Sequence, residues 1–347
     1  MKIIVRGTNW IGDAVMQIPA LRELRRIFPS AHIALQTRSW ARGIFADADF
    51  VDELITFEKS ESKIRDALAQ AKVLRKRNFD LAVLFPNSFE SALIAKLARI
   101  PQRFGYATDA RSLLLTNHVK VPEWKAERHE IFYYLNLAAE VEKVISGAET
   151  VSSNAPKIDL KVSGERKAQA RKILTENAVK SSGKIIALGV GSTNSRAKRW
   201  QAESYAELND KLQKELNANV ILVGAEDELD VSREVFEKSE IKPIILTGKT
   251  DLAEATAILS EIDLLVSNDM GLAHIAPAVG TKTLVIFGPT NEKTTRPFPE
   301  IAEIVRKTVE CSPCMLRDCP IDHRCMTGIS ADEVFSKAVE MIYDKIS

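Results

Sequence analysis

Short apolar runs separated by amphipathic stretches recur along this chain, and they limit its fold more than any other feature. Five of them in the second half are KIIALGV (184–190), NVILVG (219–224), KPIILTG (242–248), DLLVSND (263–269) and TLVIFG (283–288). Runs of this length without polar alternation are typical of strands that are buried on both faces. Strands of this kind that alternate with helices predict a mostly parallel sheet covered by helices.

The first half shows the same alternation. Its predicted strands are KIIVRG (2–7), HIALQTR (32–38), ELITF (53–57) and LAVLFP (81–86), and helices are expected over 13–28 and about 61–78. A polar stretch, SGAETVSSNAP (146–156), is the best candidate for a linker.

A chain of 347 residues is too long for one ordinary core. We therefore predict two doubly wound, Rossmann-like α/β domains, residues 1–150 and 160–325, that face a central cleft. Residues 331–347 contain an amphipathic stretch, which is expected to form a helix that packs back on the first half.

Charge and hydropathy exclude several classes of protein. The formal net charge is +1, so the overall charge does not favour a nucleic-acid partner. No apolar run approaches the roughly 18–20 residues that span a bilayer, and the N-terminus lacks the apolar segment of a secretory signal. We expect a cytoplasmic protein, and this composition is compatible with peripheral contact with a membrane.

Two turns that follow predicted strands of the second half have the composition of phosphate sites. GVGSTNSRAKRW (189–200) combines glycine, hydroxyls and cations, including Lys198, although a solvated basic loop would have the same composition. In SNDMGLAHIAPAVG (267–280), Asp269 ends a strand, and Gly271 and His274 open a helix whose N-terminus attracts anions. Alone, Asp269 would be a cap and His274 a packed side chain. Together the two turns favour a nucleotide, with Lys198 near its diphosphate and Asp269 near a ribose hydroxyl.

Two further strand ends agree with this interpretation, because ligands of parallel sheets bind at the carboxyl ends of the strands. Glu226 and Glu228 follow the second strand of this half, where a carboxylate can accept from ribose hydroxyls. FGPTNEKTTRPF (287–298) offers Thr290 and Asn291 beside the same predicted pocket.

In the first half, RGTNWIGDAV (6–15) places Asp13 at the start of a helix. Asp13 is either a helix cap that accepts backbone amides or a general base, and this stretch alone leaves both open. The G-x-G-x-x-G spacing of a dinucleotide site is absent, which argues against an oxidoreductase or epimerase that uses a dinucleotide.

The cysteines are clustered within fifteen residues of the chain, as Cys311, Cys314, Cys319 and Cys325. Four thiolates at this spacing are enough for a tetrahedral structural zinc, and packed thiols in a reducing compartment are the alternative. We expect no catalytic role for them.

Seven segments resemble one known family, the ADP-heptose:lipopolysaccharide heptosyltransferases of glycosyltransferase family 9, and among them the heptosyltransferase II type. They are GTNWIGDAVMQIPAL (7–21), LFPNSFESAL (84–93), RFGYATDARSLLLT (103–116), AKRW (197–200), SNDMGLAHIAPAVG (267–280), FGPTNEKTT (287–295) and CSPCMLRDCPIDHRCM (311–326). They occur in order over nearly the whole chain.

The resemblance implies a GT-B fold and an inverting, metal-independent transfer of heptose. The donor would be ADP-L-glycero-D-manno-heptose and the acceptor the heptose of the lipopolysaccharide inner core, with no cofactor. Asp13 corresponds to the catalytic aspartate, Lys198 to the diphosphate-binding lysine and Glu228 to the ribose ligand, with Glu226 as its competitor. The full implied donor set is Thr193, Asn194, Lys198, Glu228, Thr250, Asp269, Met270, Gly271 and His274.

The implied acceptor is anionic and linked to lipid A. Arg103 and Arg111 are the candidate acceptor-binding residues, and Lys120, Lys125 and Arg128 extend a basic rim that would suit peripheral contact with the inner membrane. A related family 9 enzyme with another nucleotide sugar is the alternative within this class. A non-catalytic nucleotide-binding protein is the alternative outside it, and the presence of both Asp13 and Lys198 argues against that.

Overall fold

The computed structural model describes residues 1–58, 60–151, 155–180, 182–193 and 195–343. The chain divides into two compact units, Met1–Ile158 and Asp159–Ser347. Each unit contains one six-stranded sheet in which every strand pairing is parallel. The prediction of two doubly wound α/β halves is thereby confirmed.

The sheet of the first unit has the order β3-β2-β1-β4-β5-β6. Its strands are β1 (Lys2–Arg6), β2 (His32–Arg38), β3 (Glu53–Phe57), β4 (Leu81–Leu84), β5 (Gln102–Tyr106) and β6 (Asn117–Val119). The strand order reverses between β1 and β4, so the loops after these two strands diverge and leave room for a ligand at the carboxyl edge.

The helices of the first unit are α1 (Ile11–Met16), α2 (Ile18–Ile27), α3 (Arg42–Phe45), α4 (Lys63–Arg77), α5 (Phe89–Leu97) and α6 (Glu130–Ser146). The single helix predicted over 13–28 is therefore two helices. They meet at Gln17, whose side chain accepts a hydrogen bond from the Thr8 amide (3.2 Å). Pro19 lies in the first turn of α2, where its missing amide hydrogen costs no hydrogen bond.

The sheet of the second unit has the order β12-β11-β10-β7-β8-β9. Its strands are β7 (Ile185–Gly189), β8 (Asn219–Leu222), β9 (Ile244–Ile245), β10 (Leu264–Asn268), β11 (Lys282–Phe287) and β12 (Ala302–Arg306). All five strands predicted for this half are present. The order reverses between β7 and β10.

The helices of the second unit are α7 (Gly164–Glu176), α8 (Ala202–Leu216), α9 (Leu229–Lys238), α10 (Leu252–Leu259), α11 (Gly271–Ala278), α12 (Glu292–Thr295), α13 (Arg324–Thr327) and α14 (Ala331–Tyr343). Among the helices in the described ranges, none combines the length and the apolar content needed to cross a bilayer.

The C-terminal helix α14 packs within the second unit, against α8 and strands β10 and β11. Val334, Ala338 and Met341 are buried in the same core as Trp200 and Tyr205. Its apolar stripe thus covers one face of the second sheet, and the expected packing of this helix on the first half stays a prediction. The part of the predicted segment after residue 343 lies outside the described residues.

Candidate functional site

The loops after β7 and β10 diverge at the point where the second sheet reverses its strand order, which is where ligands of such sheets bind. We call the described residues 190–193 and 195–200 the β7 loop. It ends in a short 3-10 helix, Arg196–Lys198, followed by the buried Trp200. Asn194, predicted to contact the donor, lies outside the described residues.

Lys198 and Asp269 form an ion pair at this edge of the sheet. The Lys198 ammonium lies 2.7 Å from Asp269 Oδ2, and the Thr290 hydroxyl donates to the same oxygen (2.7 Å). The Asp269 side chain is 6% exposed and the Lys198 side chain 26%. Because an ammonium has three N–H groups, Lys198 can hold an anion while it remains paired with Asp269.

Helix α11 begins two residues after Asp269, at Gly271. Its N-cap residue, Met270, makes no side-chain hydrogen bond to the helix amides. These amides carry partial positive charge and suit a diphosphate oxygen. His274 is buried one turn into the helix, 6% exposed. The structure thus brings together Lys198, Asp269 and the α11 N-terminus, as the sequence predicts.

Glu228 is the buried member of the two candidate ribose ligands. It is 2% exposed, and its carboxylate accepts from the Ala225 amide (3.0 Å) and the Thr193 hydroxyl (3.3 Å). A Cβ at Gly191 would lie 2.1 Å from the Glu228 carboxyl carbon, so a larger residue there would force the Glu228 side chain to move. Burial raises the pKa of the Glu228 carboxyl. The competing residue Glu226 is exposed to solvent.

Thr250 follows a turn that packs against the loop after β8, because the Gly248 amide donates to the Gly224 carbonyl (3.1 Å). The turn comes directly before Asp251, the N-cap of α10, whose carboxylate accepts from the Glu254 amide (2.8 Å). Thr250 itself is partly exposed. Its predicted contact with the donor stays a prediction.

In the first unit, Asp13 is the third residue of α1, and the N-cap position belongs to Trp10. The interpretation of Asp13 as a helix N-cap is therefore wrong. The Tyr134 hydroxyl on α6 donates to Asp13 Oδ1 (3.1 Å). Burial, together with the Asp13 charge, holds the pKa of Tyr134 well above its usual value, so this hydroxyl stays protonated as a donor. Sequence reasoning missed Tyr134, which lies in an apolar stretch of α6 without a local signal.

Arg111 has a different environment from the one predicted. Its side chain is 0% exposed, and its guanidinium donates to the Tyr106 carbonyl (2.9 Å), the Pro86 carbonyl and the Ser91 hydroxyl (3.1 Å). Burial lowers the pKa of Arg111 to about 10. Carbonyl and hydroxyl oxygens of the fold occupy the guanidinium. Acceptor binding by Arg111 stays a prediction.

Arg103 also serves the fold, although it is only partly buried. Its guanidinium donates to the Leu114 carbonyl (2.7 Å) and the Ile100 carbonyl, and so fastens the turn between β5 and β6 to the end of α5. Of the predicted basic rim, Lys125 pairs with Glu130 and Arg128 lies over the ring of Trp124. Contact of these residues with the acceptor stays a prediction.

The cysteine-rich segment, residues 311–325, packs against the β7 loop. The Ala197 amide donates to the Arg317 carbonyl (2.9 Å), and the Ala197 carbonyl lies 2.6 Å from His323 Nε2. Arg196 pairs with Asp318 (2.6 Å). Sequence reasoning missed this support for the turn that carries Lys198, since it joins residues more than a hundred positions apart.

The four cysteines are free thiols, with Cys325 buried and Cys311 exposed. Burial and the three neighbouring thiols raise the pKa of Cys325. Within the part of the chain that the structure describes, no group of three or more His, Cys, Asp or Glu side chains is arranged to hold a metal ion. The cluster is therefore not preformed as a tetrahedral site.

Comparison with known proteins gives consistent matches. The model of glycosyltransferase family 9 (heptosyltransferase) matches residues 67–324. Lipooligosaccharide heptosyltransferase 2 of Haemophilus ducreyi is 30% identical over 327 residues, 88% of this chain and 88% of its own length. The enzyme of that name from Campylobacter jejuni is 27% identical over 99% of this chain and 98% of its own.

Among solved structures, that of the E. coli ADP-heptose lipopolysaccharide heptosyltransferase II matches with a TM-score of 0.82 at 25% identity. It covers 99% of this chain and 98% of that one. The predicted GT-B fold of two Rossmann-like units is confirmed by this match.

Proposed function

This chain belongs to glycosyltransferase family 9, the heptosyltransferases, and from that membership we propose that it transfers heptose from an ADP-heptose to the heptose of a lipopolysaccharide inner core. The relatives named heptosyltransferase 2 match nearly its whole length. The proposed donor is ADP-L-glycero-D-manno-heptose and the proposed reaction inverts the anomeric centre. The observation that carries the proposal is the ion pair of Lys198 and Asp269 beside the N-terminus of α11, an arrangement that suits a diphosphate.

The second unit supplies the chemistry of the leaving group. When the C1–O bond to the diphosphate breaks, the electron pair goes to ADP, and negative charge grows on the phosphate oxygens. Lys198 and the α11 amides offset that charge without rearrangement, which is the usual source of electrostatic catalysis. Asp269 orients the ammonium, and Glu228 accepts from the ribose hydroxyls. A divalent metal is not required in this scheme.

The first unit supplies the base. The acceptor hydroxyl forms the new bond to C1 from the face opposite ADP, and its proton goes to the Asp13 carboxylate. A positioned base of this kind contributes about 10²–10⁴-fold to the rate. The Tyr134 hydroxyl holds Asp13 Oδ1 by its hydrogen bond and thereby limits the rotation of the carboxylate.

The decisive experiment offers the purified protein ADP-heptose and a heptose-terminated core acceptor. We expect release of ADP and a product heavier by one heptose, with unchanged turnover in EDTA. Inverted configuration at the new linkage is expected by NMR. Turnover with another nucleotide sugar but none with ADP-heptose would place the enzyme elsewhere in the family. Loss of turnover in EDTA, restored by magnesium, would contradict the metal-independent scheme.

We also propose that the enzyme works at the cytoplasmic face of an anionic membrane, which it meets through the outer face of α4. Ile64 and Leu68 are 76% and 55% exposed on this helix. The cations Arg65, Lys72, Arg75 and Lys76 share its solvent side. Exposed aliphatic side chains within a basic helix face suit an anionic lipid surface, since each cation near such a surface contributes about 1 kcal/mol.

Vesicle co-sedimentation tests this contact. We expect the protein to bind vesicles that contain phosphatidylglycerol and to release from them in high salt, and a combined Ile64→Ser and Leu68→Ser variant to bind more weakly. Leu113→Ser is the matched control, because Leu113 is 90% exposed on the same unit but belongs to the 3-10 helix Ser112–Leu114 and not to α4. Equal binding of both variants would contradict the assignment to α4.

A further inference from the structure

One buried side-chain amide, that of Asn268, fastens both ends of the β7 loop. Asn268 is the last residue of β10 and is 0% exposed. Its Nδ2 donates to the Val190 carbonyl (2.9 Å) and the Gly191 carbonyl (3.0 Å). Its Oδ1 accepts from the Trp200 amide (2.9 Å). The two ends of the loop are thus joined through a single side chain.

Backbone pairing alone does not do this. The ladder between β7 and β10 ends where Gly189 pairs with Ser267, directly before the loop begins. Beyond that point the Asn268 side chain continues the connection between the two strands. The Tyr205 hydroxyl on α8 lies within hydrogen-bond distance of the same Oδ1 (3.1 Å) and of the Gly189 carbonyl (3.2 Å), so every donor and acceptor of the amide has a partner in reach.

The next residue, Asp269, holds the Lys198 ammonium at 2.7 Å, and α11 begins two residues later. Asn268 therefore fixes the two ends of the β7 loop, and Asp269 fixes the ammonium of Lys198 in that loop. Both residues lie at the end of β10. We propose that Asn268 is a positioning residue that sets the distance between the β7 loop and the α11 N-terminus for the donor diphosphate. It does not touch the donor. This inference rests on the proposed function, because it assumes a diphosphate at Lys198.

Only an amide satisfies this site. In Asn268→Asp the shape is kept, but a carboxylate oxygen would face the carbonyl oxygens of Val190 and Gly191. A buried polar group that loses its partners costs much more than one hydrogen bond. The loop is then expected to move away from the strand end, and Lys198 to leave its position beside α11.

Calorimetry with ADP and with adenosine tests the proposal. We expect Asn268→Asp to weaken ADP binding about tenfold or more and to weaken adenosine binding by a smaller factor, because adenosine lacks the diphosphate but keeps the ribose. In steady-state kinetics the KM for the donor should rise and the KM for the acceptor should stay constant. The matched control is Asn209→Ala, which removes another fully buried amide of the second unit, one that donates to the Ile241 carbonyl (2.7 Å).

Asn209→Ala is expected to lower the melting temperature and to leave ADP affinity unchanged. If Asn268→Asp does not fold, Tyr205→Phe carries the test. It keeps the ring and removes the hydroxyl that lies near Asn268 Oδ1 and the Gly189 carbonyl. We expect a smaller loss of ADP affinity than in Asn268→Asp, and again a smaller loss for adenosine than for ADP. Equal losses for ADP and adenosine, or melting changes without any ADP effect, would overturn the positioning role. If Lys198→Ala also left ADP affinity unchanged, the proposed diphosphate site itself would be wrong.

Discussion

Lys198 and Thr290 meet at one oxygen, Asp269 Oδ2, and each lies 2.7 Å from it. The carboxylate is almost fully buried, so its charge is satisfied by the ammonium and the hydroxyl rather than by water. A lysine held in this way is oriented before the donor arrives. The cost of ordering a long side chain is then met in folding and not in binding.

Lys198→Ala is the first prediction that follows. Removal of the cation should weaken ADP affinity about 10–100-fold, since a hydrogen bond to a charged group is worth about 1.5–3 kcal/mol. It also leaves Asp269 buried without its cation, so the melting temperature should fall. Calorimetry and a melting curve measure both. The control is Arg196→Ala, two residues away in the chain. The Arg196 side chain is 78% exposed and pairs with Asp318. A comparable loss of ADP affinity in Arg196→Ala would contradict the specific role of Lys198.

Asp13→Asn should lower kcat by at least about 10²-fold and leave ADP affinity unchanged, because an amide has the shape of the carboxylate but cannot accept the proton. Tyr134→Phe should lower kcat by a smaller factor, since the carboxylate keeps its charge and loses one hydrogen bond. Single-turnover rates with saturating donor measure both. Retention of more than about a tenth of the wild-type rate by Asp13→Asn would contradict the assignment of the base.

Glu228→Gln is expected to weaken ADP binding and to stabilise the fold at neutral pH. Burial raises the pKa of this carboxyl on folding. Because the pKa is higher in the folded protein than in the unfolded chain, ionisation of this carboxyl destabilises the fold. This cost is full above the folded pKa, decreases as the pH falls through that value, and is absent below the ordinary carboxyl pKa. Removing the charge removes that cost. The melting temperature of the variant should therefore exceed that of the wild type at pH 7, and the difference should vanish below pH 4.5, the ordinary value.

The control is Glu226→Gln, which alters an exposed carboxylate in the same short 3-10 helix. It should change neither the melting temperature nor ADP affinity. Loss of ADP affinity in Glu226→Gln but not in Glu228→Gln would transfer the role of ribose ligand to Glu226.

The strands that position the site could be predicted from the sequence because their apolar runs are long and are bounded by turns. HIALQTR and ELITF coincide with β2 and β3. Strands β5, β6 and β12 were not predicted, since they are short or contain charged residues such as Arg103, and sheet context rather than composition makes them strands.

Only those residues of the site that directly follow strands could be predicted from the sequence. Lys198, Asp269 and Gly271 follow strands whose carboxyl ends share one edge, so parallel topology brings them together. Tyr134 lies 121 residues from Asp13, and no local pattern connects the two. Arg111 was assigned to the surface because charged side chains usually lie there, and its burial depends on carbonyl oxygens that only the folded chain supplies.

Arg111→Met tests this structural role. The variant leaves several buried carbonyl and hydroxyl oxygens without their donor, so it should destabilise the protein by about 2 kcal/mol or more and lower the melting temperature by several degrees. The KM values for donor and acceptor should change to the same extent. A tenfold increase in the KM for the acceptor alone, at an unchanged melting temperature, would identify Arg111 as an acceptor ligand.

Trp10→Ala tests whether the acceptor sugar lies against the first turn of α1. Trp10 is the N-cap of this helix and is 55% exposed, and Asp13 follows at the third helical position. The N-cap and the third helical residue are neighbours in the first turn of a helix. A large exposed indole offers flat apolar area at little entropic cost. The KM for the acceptor should therefore rise about tenfold, while ADP affinity stays constant. Because the indole is largely exposed, the melting temperature should change little.

Trp10→Phe should keep most of the affinity for the acceptor, since a ring remains. Phe89→Ala is the control, as Phe89 is another exposed aromatic of the same unit. A fall in melting temperature with an unchanged KM for the acceptor would show that Trp10 serves the fold instead.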